Sequence, residues 1–459
     1  MIVQEDLGTS RGILMLDKKM SYFDTIEYML KNEQELGWDY YHCHNDCKKV
    51  EDVFDYPKSY IGETFIHAKK QLLISTNHSD RHSFNGPNIS HARAAHSISS
   101  FFTGMILAKG LLGDNQNSFC NLYGTANGMF PFAYVWNLTC LYHDFGYEFE
   151  KNVHNCEIVK NEINRSAERI PIPNGRLKFP EFNGYSLTAV SKVFSIKKSY
   201  LSMGKLGLFN KDNSAEARFI LHFVRTWKSG LLCNGGPVKI PHRSGMLIER
   251  YLNYRLFGRM RGCLDHGIMG GLSFFNLIID NYIREYFESR RVSNNHNFTN
   301  FEVMNVLDNP LQITIEQTIL FAYIADCIVN HNIWKCQKGC EHEYRTFGLD
   351  ALIGSKFEKI DFYTNPLLFI LVMSDCLEPY KNYCDVCFGH GIDYPEFDKN
   401  EALSIFKGYR LTVVGERIVI TVPDSCVVAC ENKLKDMQDW ISIKSIKQRN
   451  KFYITPIRA

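Results

Sequence analysis

Helical periodicity dominates the chain, broken by polar Gly/Pro stretches and giving way to strand alternation near the end. SYFDTIEYMLKNEQELGW, Ser21 to Trp38, has the spacing of an amphipathic helix with Ser21 as N-cap. In RAAHSISSFFTGMILAKGLL, Arg93 to Leu112, Ile98, Phe101, Phe102 and Met105 fall on one stripe that predicts a buried face. His96 lies opposite, with Ala92, Ser99, Ser100 and Thr103. That face is small and polar rather than charged, which predicts a helix lining a cavity instead of facing water. MFPFAYVWNLTCL, Met129 to Leu141, is apolar nearly all round and too short to span a bilayer. It predicts a helix buried on every side, with Pro131 in its first turn, delivering His143 and Asp144 to its C-terminal end just before Gly146.

Beyond Tyr147 the pattern loosens. Glu148 to Glu168 reads as a charged helix, Arg169 to Ser186 as a Pro/Gly connector, and the stretch to about 240 as irregular, so residues 151–245 form an insertion or cap. Helical spacing resumes over Ser244 to Gly262 and Asp265 to Phe287, with His266 at the start of the second helix. Gly270 and Gly271 weaken that helix, so something packs very close to them. Thr314 to Trp334 repeats apolar residues at 320, 324, 327 and 328 and ends with His331 on the same face. NPLLFILVMSDCLEPY is an apolar helix interrupted by Asp375, a carboxylate that needs a cation or strong donors. From about 396 the period becomes two: YRLTVVGERIVITVP predicts a hairpin turning at Gly415-Glu416, followed by the helix CENKLKDMQDWI and a last strand, KFYITPIR. The expected fold is mainly α with a small α+β C-terminal tail, divided as 1–90, 91–150, 151–245, 246–395 and 396–459.

Composition narrows the function classes. With 459 residues, 45% hydrophobic and 22% charged, a large packed core is available and wholesale disorder is excluded. A net charge of +2 gives no global field for nucleic acid, so any polyanion site is a local patch. The N-terminus lacks an apolar signal core and no apolar run reaches about 18 residues, which predicts a soluble, cytoplasmic chain without membrane contact. Fifteen cysteines, an odd number, favour reduced thiols over a disulfide framework. His42, Cys43, His44 and Cys47 are four soft ligands in six residues, but their spacing matches no zinc finger. Cys336, Cys340 and His342 trail His331, and Cys384, Cys387 and His390 trail Asp375. If the two loops meet, Cys336, Cys340, Cys384 and Cys387 could hold a structural zinc; otherwise they are ordinary thiols. Arg225, Lys228, Lys239, His242 and Arg243 are either phosphate contacts or scattered surface charge.

Taken together, His96, His143-Asp144, His266, His331 and Asp375 sit on five successive predicted helices or helix ends, in the order H…HD…H…H…D. That order in a mainly helical chain resembles the HD-domain metal-dependent phosphohydrolase superfamily. RAAHSISSFF is similar to its first motif, LYHDFGY to its apolar-apolar-HD-apolar-Gly motif, and LLFILVMSDCLEPY to its final apolar helix with an Asp ligand. The resemblance covers roughly 91–150 and 245–390. It implies an HD-type helical core in which His96, His143, Asp144 and Asp375 bind one divalent transition metal (Mn, Fe, Ni, Co or Zn). Asp144 would bridge to a second ion held by His266 and His331. It further implies hydrolysis of a nucleotide or nucleic-acid phosphoester by a metal-activated hydroxide, as in a phosphodiesterase, nucleotidase or nuclease. Many members carry Lys at the third position after the HD pair, where this chain has Tyr147. A phenol carries no positive charge at neutral pH, so phosphate contact falls to Arg93 or to a basic residue of the insertion. That departure leaves a catalytically weak ligand-binding or regulatory module as the alternative. The C-terminal tail is the candidate surface for self-assembly or a protein partner.

Overall fold

The computed structural model describes residues 20–32, 49–72, 90–112, 132–147, 231–233, 236–238, 315–388 and 398–458. Single positions between 247 and 274 are also described. Most of the described chain is helical, with a small antiparallel sheet at the C-terminus. The His42–Cys47 cluster, residues 148–230 and the basic residues of the insertion lie outside the described set.

The N-terminal elements are α1 (Tyr22–Lys31), α2 (Val50–Asp55) and α3 (Pro57–Leu72). Ser21 caps α1 as its sequence predicts: its hydroxyl accepts from the Asp24 amide at 3.1 Å, and Asp24 accepts from the Ser21 amide at 3.2 Å. The core is α4 (His91–Leu112) crossed by α5 (Phe132–His143), and every residue of α5 is buried. Part of the small polar face of α4 is closed by another side chain, while His96 on the same face meets Asp144 and Asp375. The closed part is packed: the Tyr22 hydroxyl donates to the Ser99 carbonyl at 2.6 Å and lies 3.0 Å from the Thr103 hydroxyl. Small side chains there admit a large phenol from α1, a use that one-dimensional spacing does not distinguish from a cavity wall.

Two short strands, β1 (Leu231–Cys233) and β2 (Gly236–Val238), pair antiparallel. Next come α6 (Ile315–Asn330), α7 (Glu341–Thr346), α8 (Pro366–Leu377) and α9 (Pro379–Phe388). Asn365 caps α8, accepting from the Leu368 amide at 3.2 Å, and accepts the Tyr323 hydroxyl of α6 at 2.6 Å. The predicted close packing at the paired glycines is present. A Cβ on Gly270 would lie 2.5 Å from the Tyr142 carbonyl oxygen and one on Gly271 2.6 Å from that of Ala325, so only glycine lets this segment touch α5 and α6 backbone to backbone.

The C-terminal unit runs α10 (Lys399–Gly408), β3 (Arg410–Val414), β4 (Arg417–Thr421), α11 (Val427–Met437), β5 (Ile443–Gln448) and β6 (Lys451–Pro456), with sheet order β3-β4-β6-β5, antiparallel throughout. The hairpin turns at Gly415-Glu416 as predicted, with Gly415 at φ 61° and Val414 paired to Arg417. Strand β5 is missed by the sequence reading, because Lys444 and Lys447 blunt its apolar signal. This unit is tied to the helical core by the Tyr22 amide to the Tyr409 carbonyl (2.7 Å), and by the Tyr409 hydroxyl to the Leu377 carbonyl (2.6 Å). No described helix is long and apolar enough to cross a membrane.

Candidate metal centre

The five predicted segments converge. His96 comes from α4 and His143 ends α5, with Asp144 next to it. His266 opens a helical turn capped by Asp265, whose carboxylate accepts the Ile268 amide at 3.0 Å. His331 follows α6 and Asp375 sits near the end of α8. His96 Nε2 is 3.0 Å from Asp375 Oδ1 and 3.5 Å from Asp144 Oδ2. His143 Nε2 is 3.4 Å from Asp144 Oδ1 and 3.9 Å from Asp375 Oδ1, while His266 Nε2 is 3.9 Å from Asp144 Oδ1. The His331 ring lies 5.6 Å from that of His143 and 5.3 Å from that of His266. Two buried triads result, His96/His143/Asp144 and Asp144/His266/His331, each with donor atoms within 4.8 Å of one another, and Asp144 belongs to both.

The imidazoles are oriented from behind. His143 Nδ1 donates to the Cys140 carbonyl at 2.5 Å and His331 Nδ1 to the Ile328 carbonyl at 2.6 Å. Those bonds fix the tautomer that leaves Nε2 as a lone-pair donor. His96 Nδ1 faces Glu378 Oε1 at 2.8 Å. Glu378 is fully buried, and its carboxylate also accepts the amides of Tyr380 (2.6 Å) and Lys381. Sequence reasoning passed over Glu378. The available signal was a second carboxylate three residues after Asp375, immediately before a helix-breaking Pro379. Behind His266, the Asn332 amide donates to Asp265 at 2.8 Å and lies 3.4 Å from His266 Nδ1.

Charge is arranged to suit a cation. Burial pushes the Asp144 carboxyl upward, but the neighbouring His143, His96 and His266 hold it well below the usual carboxylate range. Asp375 is likewise held down against burial by the Lys381 ammonium and by His96. His96 is pulled up to about 9 because its bonds to Asp375 and Glu378 outweigh the opposing effect of burial. Burial, with adjacent imidazoles, lowers both His266 and His331. Ionised Asp144 and Asp375 beside His266 and His331, whose protonation is disfavoured, are donors that borderline divalent metals prefer, while His96 has to give up its proton when an ion binds. Two buried atoms, His143 Nε2 and Asp144 Oδ2, have no hydrogen-bond partner among the described residues. Unpaired buried polar atoms cost about 1–3 kcal/mol each, and a cation between these two would satisfy both. The residues present therefore fit a metal.

Arg93 and Tyr147 arrive as a stack. The Arg93 guanidinium lies 3.2 Å above the Tyr147 ring centre, and that ring stacks on His266 at 3.9 Å and 12°. Lys381, which the sequence reading did not single out, donates to Asp375 Oδ1 at 2.9 Å and is partly exposed. It supplies a cation beside the site from α9. Of the cysteines proposed for zinc, Cys336, Cys340 and Cys384 do not join a three-donor group among the described residues. Cys384 is buried, Cys336 and Cys340 are half-buried, and the Cys387 and His390 side chains lie outside the described set. Cys336, Cys340 and Cys384 form no disulfide among the described residues.

Glu378→Gln keeps the shape of the carboxylate but removes its charge from His96. The expected result is metal binding weakened by ~10–100-fold with the fold retained, read by competitive metal titration. Unchanged affinity would show that Glu378 does not act through His96.

Compared with protein-family models, with curated proteins and with solved structures, the chain matches none.

Proposed function

We propose that this protein is a metal-dependent phosphohydrolase acting on a nucleotide or nucleic-acid phosphoester, built on a helical core of the HD-domain type. The observation that carries this reading is the Asp144 carboxylate, shared between two buried His-containing triads at the meeting point of five separate segments. His96, His143, Asp144 and Asp375 would hold one divalent ion, and Asp144, His266 and His331 a second. Such ions, when bound, supply Lewis acidity that lowers the pKa of water toward neutrality and offsets charge developing on phosphoryl oxygen. The chain's own residues do the rest. Glu378 and the carbonyls of Cys140 and Ile328 hold three imidazoles in fixed orientation, so little reorganisation is needed on binding. Lys381, anchored on Asp375, places an ammonium where it can meet a phosphate oxygen, a role for which Tyr147 has no charge. Arg93 is held over Tyr147 at the edge of the second triad and contributes a second cation.

A second reading, a ligand-binding module without turnover, is favoured by the Arg93–Tyr147–His266 stack, which fills the place where relatives in the resembled superfamily keep a lysine. One experiment separates the two. Purified protein is analysed for bound transition metal, then assayed with Mn, Fe, Co or Ni against phosphodiester, cyclic-nucleotide and dNTP panels. Bound metal with turnover of one class supports hydrolysis; tight ligand binding without turnover supports the module. Absence of metal and of activity throughout sinks the hydrolase proposal. Within the hydrolase reading, Lys381→Ala leaves metal content unchanged and lowers kcat/KM by about tenfold, about 1.4 kcal/mol, measured by steady-state kinetics.

A further inference from the structure

The outer face of the C-terminal sheet carries a pattern that the metal centre does not use. Cross-strand pairing arranges this face in three rows. The middle row runs Thr412, Val419, Tyr453 and Ile446, where Val419 pairs with both Thr412 and Tyr453, and Tyr453 also pairs with Ile446. The row on one side contains Arg410 and Lys451, both registered against Thr421. The row on the other contains Arg417, paired to Val414, and Lys444, paired to Thr455. All four cations are exposed, and none pairs with a carboxylate among the described residues.

This bias is local. Over the whole chain Lys+Arg number 52 and Asp+Glu 50, so a face of twelve strand positions with four cations and no acid departs from the average. A groove of about 340 Å³ crosses the face between Val414, Arg417, Val419, Tyr453 and Thr455. Glu416, in the hairpin turn, is the carboxylate at its rim and accepts the Tyr363 hydroxyl at 3.2 Å. The two cation rows lie roughly 14 Å apart, four strand residues at about 3.4 Å each.

We propose that this sheet face binds single-stranded nucleic acid, with bases lying on the Val419–Tyr453–Ile446 row and phosphates met by the Arg410/Lys451 and Arg417/Lys444 rows. An aromatic and apolar platform between cations is what sequence-tolerant single-strand binding requires. A second copy of the same face is disfavoured, because apposing two such surfaces buries like charges together. The surface is argued independently of the metal centre and stands whether or not that centre hydrolyses anything.

The test is fluorescence anisotropy with the full-length protein and labelled 16-mers of oligo(U) and oligo(dT), at 50 and 200 mM salt. The expected result is binding to at least one oligomer, with log K falling against log salt at a slope near −3, about −0.7 for each of four phosphate contacts. Whichever oligomer binds tighter identifies the strand as RNA or DNA. The quadruple variant Arg410→Gln/Arg417→Gln/Lys444→Gln/Lys451→Gln should bind at least tenfold more weakly with a shallower slope. Tyr453→Leu should lose about fivefold with the slope unchanged. The pairwise variants Arg410→Gln/Lys451→Gln and Arg417→Gln/Lys444→Gln repeat the test if the quadruple variant misfolds by circular dichroism. No binding to either oligomer, undiminished binding by these variants, or binding only to phosphatidylserine vesicles overturns the proposal.

Discussion

Under the proposed function, replacing Asp144 by Ala is expected to empty both halves of the candidate metal centre and to lower phosphoester turnover on the order of 10³-fold, about 4 kcal/mol. The reason is geometric. Asp144 Oδ1 lies 3.4 Å from His143 Nε2 and 3.9 Å from His266 Nε2, while Oδ2 lies 3.5 Å from His96 Nε2. No other described carboxylate belongs to both triads. Without it each triad keeps two imidazoles, and the first keeps Asp375 nearby, but nothing joins them. Metal content per chain, measured by mass spectrometry on the purified variant, should fall close to zero, whereas His331→Ala should remove metal from the second triad alone. Circular dichroism checks that the fold persists. If Asp144→Ala retains the wild-type metal complement, the shared-carboxylate reading is wrong.

The second large effect comes from a residue with no side chain. A Cβ on Gly146 would collide with the backbone carbonyl of His266, an atom that cannot swing aside as a long side chain can. Gly146→Ala therefore pushes the 265–268 turn away from Asp144, and overpacking of this kind costs about 2–3 kcal/mol. The expected outcome is a Tm lower by about 2–3 °C, together with loss of metal from the second triad while the first is retained. Thermal scans paired with metal analysis check both parts. A variant with wild-type Tm and metal content would mean that the close approach at Gly146 does not position His266.

Much of this architecture is legible in the chain, for identifiable reasons. The apolar run of α5 could only be buried, and it ends in His143 because the turn at Gly146 follows. Gly270 and Gly271 signalled close packing because glycine inside a helix is otherwise a net cost, and the Tyr142 and Ala325 carbonyls are what they approach. Asp375 in a run of leucine, valine and methionine demanded a partner, and His96 and Lys381 provide it. What spacing misjudged was part of the small polar face of α4. At Ser99 and Thr103 it meets the Tyr22 phenol, which spacing did not foresee because a buried hydroxyl cluster and a cavity wall have the same composition, while His96 on that face turns to Asp144 and Asp375. Strand β5 was hidden because Ile443 and Ile446 are three residues apart, each followed by a lysine, so the period of two is missing and only the β6 ladder shows that they stand on a sheet.

Each of His96, His143, Asp144, His266, His331 and Asp375 was a weak signal alone; their order along the chain, and the superfamily it resembles, nominated them as a set. That order could not decide that Asp144 is shared, that Glu378 faces His96 from behind, or that Lys381 reaches Asp375 from α9. Those are relations between side chains on different helices. Periodicity fixes which face of its own helix a residue occupies, whereas distances of 3 to 4 Å between helices are set by how the glycines, caps and buried rings let those helices approach.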